Sequence, residues 1–148
     1  MCHRIGVVVC LAIGCLIWAG CEAQRVSNVD PNARAAIGYA ATAHYPGNAM
    51  NSTANVLVGA LDRPGEKRIE LLNLSDNAVP DAKVWVNGAY VRQIGTLPPR
   101  GTTSVDYSGM LQAGQTAMDF ARAEQAVTKV EIETGNVLYR VLGPAVKR

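Results

Sequence analysis

Beyond residue 21 the chain has no cysteine, and beyond residue 3 it has a single histidine, His44. The first absence removes disulfides and cysteine-ligated metal sites from everything downstream, even in an oxidising compartment. The second removes the usual base of triad and acid–base chemistry. Ser104 and Ser108 have no histidine near them in the chain, and a lone His44 reads as a surface or helix-end residue. No nucleophile elbow, phosphate-binding loop, dinucleotide fingerprint or H-E-x-x-H pair occurs. Charge of one sign is lacking too. Of the 14 basic residues only Arg4 precedes residue 21, which leaves 13 against 12 acidic residues and no basic run. Such a balance gives no field for a nucleic-acid backbone. Aromatics make up only 5%, so each one is informative.

What is present is aliphatic. Hydrophobic residues reach 49% and charged residues 18%, enough to bury a core, and 148 residues suit one domain plus a tail. Arg4 opens an apolar run, Ile5 to Cys21, that holds no charge and no proline. A positive start followed by an apolar stretch is the pattern of a secretory signal. As a helix its 17 residues would span about 25 Å at ~1.5 Å each, short of the roughly 30 Å of a bilayer core. Cys10, Cys15 and Cys21 follow C-x4-C-x5-C among Val, Leu and Ile, not the C-x2-C pairing of zinc or redox sites. Trp18-Ala19-Gly20-Cys21 resembles a bacterial lipobox, with two small residues before the cysteine and Trp18 in place of the usual aliphatic. The resemblance implies that 1–20 is a lipoprotein signal peptide, that Cys21 is lipidated as the mature N-terminus, and that Glu22 directs the protein to the outer membrane.

Residues 21–54 read as the lipidated N-terminus and a stalk. Asp30-Pro31 suits a helix start and Pro46-Gly47 a stop. The Ala-rich stretch Ala33–His44 between them is either a short helix with a thin apolar face, Ile37, Ala40 and Ala41, or a disordered tether. Gly38 in its interior costs about 1 kcal/mol relative to Ala.

From residue 55 the apolar period becomes two. Strands are expected at Val56–Leu61, Arg68–Leu74, Ala82–Val86, Ala89–Ile94, Thr102–Tyr107, Val127–Glu133 and Val137–Leu142, separated by Gly-, Pro- and Asn-rich turns. About seven short strands without helical crossovers predict a mainly β fold, a small antiparallel Ig-like sandwich over 55–148. Met110–Gln125 is a helical turn or long loop, with Met118 and Phe120 plugging one end. Residues 69–105, with a strand ending in Asn73, a polar loop, a hairpin and a Pro/Gly turn, resemble the FxLYD-like and CARDB-like Ig-type modules of bacterial envelope proteins. That resemblance implies binding or spacing and no catalytic residues.

Two features bear on function. Asp76 and Asp81 flank a loop, but "DNAVPD" lacks the ligand spacing of a calcium site and reads as a solvated turn. Asn87-Gly88 predicts a two-residue hairpin that sets Val86 against Ala89, Trp85 against Tyr90 and Lys83 against Arg92. Lys83, Trp85, Tyr90 and Arg92 then share one face and Val84, Val86, Ala89 and Val91 the other. If the valines are core, the first face is an aromatic platform between two cations, suited to a sugar or anionic glycan. If Trp85 is buried, as tryptophan usually is, both faces are covered. In the second predicted hairpin Lys129, Glu131 and Glu133 form a solvated face opposite Val130 and Ile132. The expectation is a non-enzymatic, lipid-anchored envelope module, with no cofactor and no metal. It would be partnered by the membrane through its lipid and by an envelope protein or glycan. The alternative is a carbohydrate- or peptidoglycan-binding module built on Trp85 and Tyr90.

Overall fold

The computed structural model describes residues 31–115 and 118–143; the leader, Cys21 and Asp30 lie outside them. Helix α1 (Pro31–Thr42) precedes eight strands. These are β1 (Val58–Arg63), β2 (Arg68–Asn73), β3 (Val79–Val86), β4 (Tyr90–Leu97), β5 (Thr102–Asp106), β6 (Leu111–Gln112), β7 (Val130–Thr134) and β8 (Val137–Arg140). They form two antiparallel sheets, β1-β2-β5 and β6-β4-β3-β7-β8. The fold is a small, mainly β sandwich, as the alternation predicts. The unexpected strand, β6, is two residues long and lies in the stretch read as loop or helical turn.

The inward positions of both sheets meet in one core, with Val58, Ile69, Leu71, Val84, Val86, Leu97, Val105 and Ile132 all buried. Phe120 closes one end, edge-on to Tyr90 and Tyr107 at centroid distances of 5.1 and 4.9 Å. The residue that joins it is Met110, fully buried, and not Met118, which is exposed. The strand-ending Asn73 is also buried and fully used. Its Nδ2 donates to Asn77 O (2.8 Å) and Pro98 O (3.0 Å), and its Oδ1 accepts from Ser75 N and Oγ. One side chain thereby joins two loops, with both of its own polar atoms paired.

Two departures from expectation decide the surface chemistry. The first is the β3–β4 hairpin. Asn87 and Gly88 do turn with positive φ, and Ala89 N–H donates to Val86 O. The ladder, however, pairs Val86 with Tyr90, Trp85 with Val91 and Val84 with Arg92. Ala89 is thus an extra residue, its carbonyl taken by Ala113 N–H at 2.8 Å. A one-residue slip moves every following side chain to the opposite face.

The second departure is the stalk. The compact unit begins at Asn32, so the described part of 21–54 is not a free tether. Ala40 and Ala43 are buried against Trp85, Val91 and Leu138 on the outer face of the five-stranded sheet. Small residues let the backbone of α1 approach that sheet closely, and Gly114 N–H reaches Ala40 O at 2.9 Å.

Beyond β8 the chain leaves β7 and crosses to the other sheet. Leu142 N–H donates to Val58 O (2.7 Å) and Ala60 N–H donates to Leu142 O (2.9 Å), a parallel bridge at Gly59. Gly143 follows so close to the Ala60 carbonyl that a Cβ has no room.

Candidate functional site

The slipped register divides the predicted quartet. Trp85 and Tyr90 are both buried, at 1% and 2% exposure, on opposite faces of the sheet. Tyr90 joins the core between the sheets, while half-buried Arg92 shares its face of β4 with its guanidinium lying against Gly109. Only Lys83 and Trp85 stay together. Trp85 and Tyr90 therefore do not share an exposed face of this hairpin.

Around Trp85 stands a different arrangement. Glu133 on β7 accepts from Trp85 Nε1 at 2.8 Å and from Lys83 Nζ at 2.6 Å. Two residues earlier on the same face, Glu131 accepts from Tyr45 OH at 2.7 Å and pairs with Lys129 Nζ at 3.2 Å. Lys129 Nζ also donates to Tyr45 OH at 2.7 Å and lies 4.7 Å from its ring centroid. The Tyr45 ring stands edge-on to Trp85 at 5.4 Å. The β7 face predicted to be solvated is therefore covered: Glu131 and Glu133 are 3% and 6% exposed. Residues 39–49 lie over it, and each carboxylate carries two donors, the condition under which buried charge is tolerated.

The two lysines and two tyrosines around these carboxylates are all shifted upward. Burial pulls the Lys83 ammonium down, but the Glu133 carboxylate outweighs it and its pKa is raised. Lys129 is raised as well, first by its hydrogen bond to Tyr45. Burial pushes the phenols of Tyr39 and Tyr45 up. These four groups thus keep their neutral-pH states: two ammoniums and two phenols.

A second feature lies where β8 leaves β7. A cleft of about 230 Å³ opens there, lined by Ala60 and Asp62 of β1, by residues 127–131, and by Arg140, Val141 and Gly143. Its floor is aliphatic: Val127, Val130 and Val141 all contact the core. Asp62 points inward, where Tyr107 OH donates to its Oδ1. Burial, and then the Asp62 carboxylate, raise the Tyr107 pKa far above the ordinary phenol range. On the rim, Arg140 is exposed and makes no ion pair among the described residues.

The remaining sequence candidates are dispersed. Asp76 is exposed and pairs with Arg100 at 2.9 Å, which lowers its pKa through that hydrogen bond. Asp81 sits at positive φ, 46°, where β3 bulges beside Pro80. His44, Ser104 and Ser108 are exposed. Among the described residues no group of three or more His, Cys, Asp or Glu is arranged to hold a metal ion, and no helix is long and apolar enough to cross a membrane.

Sequence reasoning missed the cover over Trp85 and the cleft. The first had a signal, since Tyr39 and Tyr45 place two of the scarce aromatics in a segment taken for a spacer. The cleft had none, because it exists only where strands distant in sequence diverge. No protein family, curated protein or solved structure matches this chain.

Proposed function

We propose that the chain is a lipid-anchored module of the bacterial envelope, held on the periplasmic side of the outer membrane by a lipid on Cys21. Its sandwich works by interaction and not by catalysis. The observation that carries the reading is the place where folding starts. Cleavage before Cys21 removes nothing from the compact unit, which begins at Asn32. Ten residues, 22–31, separate Cys21 from Asn32 in the sequence, a contour length of at most roughly 35 Å at ~3.3–3.6 Å per residue. An anchor followed at once by a folded domain suits a protein that acts close to its membrane. The displaced pKa values favour interaction over catalysis. A general acid or base works best with a pKa near the operating pH, and Lys83, Lys129, Tyr39, Tyr45 and Tyr107 are all shifted away from neutrality.

Mass spectrometry of the mature protein tests the anchor. The expected N-terminal fragment begins at Cys21 and carries acyl mass, and Cys21→Ser abolishes both processing and membrane association. An N-terminus elsewhere, or an unmodified Cys21, overturns the reading.

A further inference from the structure

Each sheet has two edge strands, and the sandwich treats them unequally. Gln112 N–H of β6 donates to Met118 O, and Asp119 bridges Leu111 beside it. Along β8, Met50 N–H donates to Leu138 O and Met50 O accepts from Arg140 N–H. Leu142 bridges β1. Strand β5 has β2 on one side and no described strand on the other. Asn73 N–H donates to Gly101 O and Tyr107 N–H donates to Lys67 O, so the alternation turns residues 101, 103, 105 and 107 toward β2. The N–H and C=O of Thr102, Ser104 and Asp106 face the other way, and no hydrogen bond reaches them among the described residues. The chain is described without a gap from 31 to 115, so neither flank of β5 folds back over that row. The side chains of Thr102, Ser104 and Asp106 are exposed as well. The usual guards of an open edge are missing, for β5 carries no Lys, no Pro and no bulge.

We propose that β5 is a self-association edge, to which the β5 strand of a second copy of this chain adds antiparallel about Ser104, joining two three-stranded sheets into one. The inference rests on reading the domain as an interaction module and deepens it. Strand addition needs open main-chain groups, and a two-fold axis through Ser104 matches them all. Ser104 then faces Ser104, and Thr102 faces Asp106 of the second copy, where its hydroxyl can donate to the carboxylate. That carboxylate is unengaged in its own copy among the described residues, because Arg68, its neighbour in register, turns to Glu66 and Glu70. The two Asp106 side chains stand four residues apart along the paired strands, roughly 13 Å, so the only charge on β5 does not meet its like. The symmetry favours a second copy over a foreign strand. A two-fold axis perpendicular to the joined sheet keeps each face of the sandwich on the same side in both copies. Helix α1, which packs through Ala40 on the outer face of the five-stranded sheet, therefore lies on one side of the pair. Both chains can then run from α1 to Cys21 in a single membrane.

The test is sedimentation equilibrium of the full-length protein in detergent, with amide exchange followed along β5. The expected result is a concentration-dependent equilibrium of monomer and dimer that slows exchange at Thr102, Ser104 and Asp106. Ser104→Lys and Ser104→Glu are exposed changes that leave the ladder to β2 intact. Each sets like charges face to face and is expected to weaken the dimer at least about tenfold. Mixing the two variants is expected to restore it, since lysine then faces glutamate. A dimer indifferent to both variants, a mixture that stays monomeric, or a dimer with unchanged exchange at Ser104 overturns the proposal. A wild-type chain that stays monomeric overturns it too and leaves the edge to a strand of another protein. Lipidation at Cys21 is scored separately. A lipidated monomer defeats only this inference, and an unlipidated dimer defeats only the anchor.

Discussion

The two sheets turn very different outer faces away from the core. The five-stranded sheet hides Trp85, Glu131 and Glu133 beneath residues 39–49. The three-stranded sheet exposes Leu61 and Leu72, with an ion-pair chain of Glu66, Arg68, Glu70 and Arg63 beside them. Both faces carry charge next to apolar groups. On the covered face the charges are desolvated, each with an assigned partner, and the stability of the domain depends on them. On the bare face they are screened by water and contribute little. A layer of small residues, Ala40 and Ala43, makes the difference by letting a thin helix seal a sheet.

Substitutions on the two faces should therefore separate by size. Trp85→Ala is expected to cost about 3–5 kcal/mol in chemical denaturation, while Leu72→Ala on the bare face stays within about 0.5 kcal/mol. Similar losses at the two positions would mean that both faces are covered in solution. Glu133→Ala comes next, at about 2–3 kcal/mol, because Trp85 Nε1 and Lys83 are left without their acceptor. Lys83→Met combined with Glu133→Leu should recover the share owed to Lys83 but not the share owed to Trp85 Nε1, and a double change as harmful as the single one would show that the pair itself stabilises. Tyr45→Phe should cost about 1 kcal/mol by removing the hydroxyl between Lys129 and Glu131. Glu70→Ala, the counterpart on the bare face, should fall at the bottom of this order and fade further in high salt.

Alkali should act on the covered face and on Tyr107 alike. Folding raises Tyr39 and Tyr45 above the ordinary 10.0, and Lys83 and Lys129 above 10.5. A group with a raised folded pKa contributes stability that is complete below its unfolded pKa and lost as pH rises through the folded one. Unfolding free energy is thus expected to hold through neutral pH and to fall above about pH 10. The fall should be shallower in a Tyr39→Phe, Tyr45→Phe variant. An unchanged alkaline slope would place the loss at Tyr107, the phenol that folding raises furthest.

Most strands were legible because alternation and turn dipeptides are local signals. Gly135-Asn136 closes β7 onto β8 as a two-residue turn with Thr134 opposite Val137, as its sequence implies. Asn87-Gly88 turns as expected too, yet the face of β4 was misjudged. The Asn87 side chain accepts from Thr128 N–H (2.8 Å) and Lys129 N–H (3.2 Å), and the Ala89 carbonyl accepts from Ala113. Those long-range bonds fix the extra residue, and nothing within the hairpin announces them. Docking of α1 was hidden for a similar reason. Its apolar stripe is too thin to declare a core face, and Glu131 and Glu133 look solvated until Tyr45 and Trp85 are brought to them. Strand β6, two residues long, leaves no periodicity to read.

The bridge between Ala60 and Leu142 also has a bearing on time. A ribosome releases β1 early and residue 142 near the end of the described chain, so the corner joining the sheets can close only after nearly the whole domain has emerged. Until then β1 carries an open edge, and late non-local pairing of this kind makes for slow folding with partners exposed to one another. Substituting Gly143, the residue with no room for a side chain, would delay that last step and leave much of the earlier order intact. The corner makes the first strand of the sandwich wait for the last described stretch of chain before its second edge closes.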